Sequence, residues 1–167
     1  MKIKSPGIEE GRFLDRYGSK GDVSVNGMPG LSIPFSIEDA PANTRSFAAV
    51  LDDYDAIPVC GFNWIHWTLC NLHRDTVSEG ESHNDPDFVE GCNSWHSIAD
   101  ELSVEEATGY GGMAPPNCEH RYTLKVFALD CDLDLERVFM LNELIFAMED
   151  HVLDFSVLTG TYSPADV

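Results

Sequence analysis

Hydrophobic and polar positions alternate over Arg121 to Leu129: Tyr122, Leu124, Val126 and Ala128 share one parity, and Thr123, Lys125 and Phe127 the other. A period of two predicts a strand with one buried face. His120 has the parity of Tyr122, so the two are expected on one face with Arg121 on the other. Phe62 to Leu72 is a nearly continuous apolar and aromatic run, which suits a strand in the middle of a sandwich. Ser46 to Leu51 predicts a third strand, ending in an acidic cluster. Upstream, Pro6-Gly7, Gly18, Gly21, Asn26-Gly27 and Pro29-Gly30 separate short apolar runs, as expected for short strands and tight turns. Near the C-terminus the period changes. Val138, Leu141, Leu144, Ile145, Met148 and Val152 recur at steps of three or four, predicting one helix with Asp134 as its N-cap and an acidic face over 142–150. Phe155 to Tyr162 is apolar again and passes through Gly160. Between the central strands, His73 to Gly112 is polar and lacks a period. So long a stretch in a compact domain points to function or to order of its own. The pattern predicts a mostly β fold with one C-terminal helix on the sheet.

Length and charge narrow the classes. The chain has 167 residues, enough for a single domain over 1–167 with a real core. Its 29 acidic and 10 basic residues give a net charge of −19. With so few cations it cannot release phosphate counterions, which argues against nucleic-acid binding and against stable association with anionic membranes. No apolar run approaches the roughly 18 residues of a membrane span, and the polar start lacks the pattern of a secretory signal. A cytoplasmic location is expected. Five cysteines without a CxxC exclude a zinc ribbon or a thioredoxin-like motif, and free thiols are the simple reading.

Three segments carry candidate chemistry. Asp52-Asp53-Tyr54-Asp55 places three carboxylates at a strand end, where they are either solvated or balanced by a cation or a donor. His66, between Ile65 and Trp67, needs a partner for its ring nitrogens if buried. Tyr110-Gly111-Gly112-Met113-Ala114-Pro115-Pro116 is a fixed, non-regular loop. His120-Arg121-Tyr122 follows it and opens a strand. Convergence of Asp53 or Asp55 with His66 and His120 would make an anion-attracting pocket, with glycine-loop amides as further donors. The same residues admit an alternative reading, a hydrolase using general acid–base chemistry or an enzyme holding a divalent metal. No Gly-x-Ser-x-Gly elbow, Walker loop or His-Glu-x-x-His occurs.

Taken together, Asp53-Tyr54-Asp55-Ala56-Ile57-Pro58, Trp64-Ile65-His66-Trp67, Tyr110 to Pro116 and His120-Arg121-Tyr122 resemble the phosphatidylethanolamine-binding protein family, in its bacterial Raf-kinase-inhibitor-like branch. The resemblance implies a Greek-key β-sandwich with a C-terminal helix and short peripheral helices. It implies a metal-free pocket, without a cofactor, for a small anionic or phosphorylated ligand. The positions implied to bind it are Asp53, Asp55, His66, Tyr110, Gly112, Pro115, His120, Tyr122 and Tyr162. Eukaryotic members regulate kinases, so a protein partner such as a kinase and a homodimer are further implications. The chain departs from the family's Asp-Pro-Asp-Ala-Pro signature. Tyr54 replaces the first proline and Ile57 is inserted, so Tyr54 is a candidate cap on the pocket and Asp55 a candidate for re-aiming.

Overall fold

The computed structural model describes residues 1–84, 86–100 and 102–165. Its strands, in chain order, are β1 (Lys2–Lys4), β2 (Ile8–Glu9), β3 (Arg12–Phe13), β4 (Ser24–Val25), β5 (Met28–Pro29) and β6 (Phe35–Glu38). They continue with β7 (Ser46–Asp53), β8 (Trp64–Leu72), β9 (Thr76–Val77), β10 (Val89–Glu90), β11 (His120–Leu129) and β12 (Val152–Tyr162). Two short α-helices, α1 (Ile57–Cys60) and α2 (Leu141–Ala147), complete it with three single 3-10 turns.

A seven-stranded sheet in the order β10-β8-β7-β11-β12-β3-β2 carries the fold. The long connection after β10 returns β11 to the free side of β7. The order β11-β7-β8-β10 is thus a Greek key. All pairs are antiparallel except β12 with β3, so the sheet is mixed. A three-stranded sheet, β1-β6-β9, covers one of its faces. Alternate residues of the long strands meet there: Phe47, Ala49 and Leu51 of β7, Trp67 and Leu69 of β8, and Leu124, Val126 and Ala128 of β11 pack with Ile3, Phe35 and Ile37. This is the expected mostly β sandwich.

The other face is closed by α2 and the strap before it. Ala48, Val50, Cys70 and Leu129 pack against Leu133, Phe139, Leu144 and Met148. Here the expected helix is corrected. It begins at Leu141, not after Asp134, and its N-cap is Met140. The capping box comes from Glu143, whose carboxylate accepts from the Met140 amide at 2.7 Å. Residues 133–140 bond to the sheet instead. The Leu133 amide donates to Asn71 Oδ1 and the Val138 amide to the Glu90 carbonyl, while the Phe139 carbonyl accepts from Cys92. Val138 has a φ of 85°, outside any helix. Val152 belongs to β12 rather than to the helix. All five cysteines are free. Among the described residues no helix is long and apolar enough to cross a membrane.

Candidate functional site

The ends of β7, β8 and β11 bring the chemistry together. Asp53 closes β7, His66 sits near the start of β8, and His120 and Tyr122 open β11. Tyr122 pairs with Asp53 across the ladder, and period two sends His120 and Tyr122 to one face, as the sequence predicts. His66 needs a further device, because regular alternation would separate it from Trp67. The pairing Leu51↔Trp67 is followed by Asp52↔Ile65, so His66 is an extra, bulged residue. Bulges re-aim side chains beside sites. This one turns the His66 ring toward Tyr122, with ring centroids 5.2 Å apart.

These side chains line a cavity of about 290 Å³ with Trp64, Trp95, Pro115 and Pro116. His120 and Asp53 are buried, and His120 Nδ1 lies 2.7 Å from Asp53 Oδ2. The other histidine nitrogen, Nε2, is 2.8 Å from Asn117 Oδ1. Asp53 Oδ1 accepts the Asp55 amide at 2.9 Å, so one carboxylate orders both the turn and the imidazole. Gly111 clamps His66 twice: its amide donates to the His66 carbonyl, and its carbonyl lies 2.6 Å from His66 Nδ1. A carbonyl only accepts, so Nδ1 carries the proton and Nε2 keeps a lone pair. Nε2 has no hydrogen-bond partner among the described residues. Burial pushes the His66 pKa below its ordinary value, against the opposing pull of the Gly111 carbonyl and of Asp53. The buried Tyr122 hydroxyl has no partner among the described residues, and burial first, then Asp53, pushes its pKa up. Asp100, also on the wall, is raised by partial burial.

Of the nine expected site residues, Asp53, His66, Pro115, His120 and Tyr122 line the cavity. Asp55, Tyr110, Gly112 and Tyr162 are not among its lining residues and are held by other contacts. Asp55 accepts the Arg121 amide at 2.8 Å, which ties the turn to β11. Tyr110 is fully buried and donates to the Tyr17 carbonyl at 2.8 Å. A Cβ at Gly112 would run into that same carbonyl, so the loop packs there only without a side chain. Tyr162 donates to the Asp15 carbonyl and accepts from the Lys20 amide. Tyr54 does not cap the cavity. It is half exposed and its hydroxyl takes Lys125, on the other side of the sheet.

The donors do not gather for a metal ion. Among the described residues, the one group of three such ligand atoms within 4.8 Å of one another is Asp130, Cys131 and His151, outside the cavity lining. Cys60, the cavity's thiol, lies 3.3 Å from both the Ala56 and the Phe62 carbonyl, and its one proton can go to either.

Comparison with known proteins decides the family. The family model described as phosphatidylethanolamine-binding protein matches residues 4–163. The chain belongs to the phosphatidylethanolamine-binding protein family. A Bacillus subtilis relative, the uncharacterized protein YxkA, is 38% identical over 153 residues, 87% of this chain and 91% of that protein. A UPF0098 protein of Methanothermobacter thermautotrophicus is 32% identical, covering 97% of this chain and 98% of its own. The crystal structure of a putative phosphatidylethanolamine-binding protein homolog, CT736 of Chlamydia trachomatis, superimposes with a TM-score of 0.80 at 27% identity, over 98% of this chain and 97% of that one. Escherichia coli YbcL shares the fold, with a TM-score of 0.78 at 20% identity and 99% and 98% covered.

Within this family frame, the cavity residues that sequence reading passes over are chiefly Trp64, Val59, Cys60 and Trp95. Trp95 comes from the polar stretch without a period. Its 3-10 turn (Ser94–His96) is capped by Asn93, and Ser94 Oγ accepts the Ile65 amide at the start of β8. An Asn-Ser pair before a lone tryptophan is the only local signal for it, and a weak one.

Proposed function

We propose that this chain is a non-catalytic binding protein whose cavity takes a small ligand with an oxyanion head, phosphoryl or carboxylate. The observation that carries the reading is the bulge that aims His66 into the same cavity as Asp53, His120 and Tyr122. In the free protein His66 is neutral at pH 7, because burial disfavours its charged form. An anion supplies the missing opposite charge. Protonated at Nε2, His66 then donates to the anion while Nδ1 stays on Gly111. Trp64, Val59 and Pro115 offer apolar walls for the rest of the ligand.

Sulfate is a suitable probe because it does not titrate between pH 5 and 8. Calorimetry with sulfate, acetate and phosphorylethanolamine is expected to show binding that tightens as pH falls. His66→Ala, shown to be folded by its melting curve, is expected to bind at least about tenfold more weakly, the value of one charge-assisted hydrogen bond. Silent wild-type protein, or equal binding by His66→Ala, rejects the reading.

A further inference from the structure

Far along the sheet from the cavity, β11 and β12 close on each other through an irregularity. The register shifts between Ala128 and Leu129. Just beyond it the Asp130 amide donates to the His151 carbonyl at 3.2 Å. The His151 amide is held by the Met148 carbonyl, and Asp150 takes a φ of 65° to make the turn. On the other side, Ser46 Oγ donates to the Cys131 carbonyl at 2.5 Å. Two separate segments are thus pinned side by side, and they present three unlike donors. A carboxylate oxygen of Asp130, the thiol sulfur of Cys131 and an imidazole nitrogen of His151 lie within 4.8 Å of one another.

We infer that Asp130, Cys131 and His151 form a surface site for a divalent transition-metal ion of the zinc class. The mixed oxygen, sulfur and nitrogen set suits zinc, cobalt or nickel and does not suit calcium or magnesium, which take oxygen. Bonds of roughly 2.0–2.3 Å from three donors place those donors about 3.5 Å apart in a tetrahedron. Reaching that spacing from within 4.8 Å needs side-chain rotation only, since the backbones are already joined. A fourth position stays open to water. At present His151 Nδ1 sits 2.9 Å from Asp130 Oδ1, a contact the ion would replace.

On binding, the Cys131 S–H bond breaks, its proton goes to solvent, and the thiolate sulfur donates its pair to the ion. Burial first, then Asp130 and Asp132, raise the thiol pKa, and Arg45 opposes them. Asp132 is itself held by Arg45 at 3.0 Å and His73 at 2.8 Å, so it stays out of the site. Proton release makes the affinity rise with pH.

The test is titration of metal-stripped, reduced full-length protein with cobalt(II), read by absorption. One equivalent is expected, with a thiolate-to-cobalt charge-transfer band in the near ultraviolet. Cys131→Ser should lose the band, and His151→Ala should bind at least about tenfold more weakly. Cys118→Ser, which removes an exposed thiol elsewhere, should bind as wild type does. Zinc should raise the melting temperature of wild type and not that of Cys131→Ser. A wild-type titration without the band, a band that survives Cys131→Ser or vanishes in Cys118→Ser, or unchanged affinity in His151→Ala overturns the site.

Discussion

Asp52 and Asp53 are consecutive on β7, almost fully buried, and turned to opposite faces of the same sheet. Asp53 faces the cavity and meets an imidazole, His120, at 2.7 Å. Asp52 faces the other way and meets an ammonium, Lys125, at 2.5 Å, with Asn63 Nδ2 as a second donor. The Lys125 ammonium also bonds to the Tyr54 hydroxyl and lies 4.7 Å from that ring's centroid. One carboxylate has a partner that stays charged at any physiological pH. The other has an imidazole partner that lines the cavity and can exchange donor and acceptor roles between its two ring nitrogens. Identical residues one position apart therefore do different work. The Asp52 pair ties β7 to β11, and the Asp53 pair leaves a pocket able to respond.

The largest effect is expected on the Asp52 side. Lys125→Met removes the cation and leaves a buried carboxylate whose Oδ1 already lacks a partner among the described residues. Breaking a buried pair from one end costs about 3 kcal/mol, even with Lys125 partly exposed. Urea unfolding reads this directly, and the double variant Asp52→Leu, Lys125→Met should recover most of the loss. A cost below about 1 kcal/mol for Lys125→Met would mean that Asp52 does not depend on its cation, and the contrast would collapse.

Asp53→Asn should cost less, about 2 kcal/mol, the worth of a hydrogen bond to a charged group. The amide oxygen can still accept from the Asp55 amide, and the new amide nitrogen can donate to His120 where the carboxylate accepted. Ligand affinity should fall more clearly than stability. Calorimetry beside urea unfolding separates the two, and an unchanged affinity would remove Asp53 from the binding set.

His66 sharpens the same contrast through pH. Its pKa is lowered on folding, so the unfolded chain binds its proton more readily. Its contribution is present in full above the unfolded value of about 6.5 and is lost as pH falls toward the folded value. Wild type should therefore lose more stability than His66→Gln between pH 7 and pH 5. Added sulfate should reduce that difference, because it favours the protonated ring in the folded state. Parallel slopes for the two proteins would show that His66 is not held neutral.

Much of this was legible in the chain. Alternation located β11 and placed His120 beside Tyr122, because a ladder preserves parity. His66 was legible as a candidate, but its direction was not. The bulge arises from register between β7 and β8, which no local pattern encodes. The helix is shorter than its hydrophobic period for a related reason. Asp134 and Val138 fit a helical period, yet strap residues between 133 and 140 found backbone partners on the sheet that outweighed propensity. Trp95 was hidden because its position depends on tertiary docking of Ser94 on Ile65. Asp55, Tyr110, Gly112 and Tyr162 belong to the same motifs, yet they bond to neighbouring backbone or pack against it and do not line the cavity. Family motifs mark the residues that hold a site's shape as strongly as those that face it.

The smallest expected effect is the most discriminating. The Tyr122 ring lines the cavity with a buried hydroxyl that has no partner among the described residues. A buried, unsatisfied hydroxyl costs free energy, so Tyr122→Phe should leave the fold unchanged or stabilise it by up to about 1 kcal/mol. A hydroxyl kept only for packing would have no other consequence. A hydroxyl kept for a ligand would show the opposite sign in binding, because a plain phenyl ring at that position could not donate to the oxyanion. Stability equal to or above wild type together with weaker sulfate binding would place Tyr122 with Asp53 among the responsive groups. Equal binding by the variant would return Tyr122 to the structural side, with Asp52.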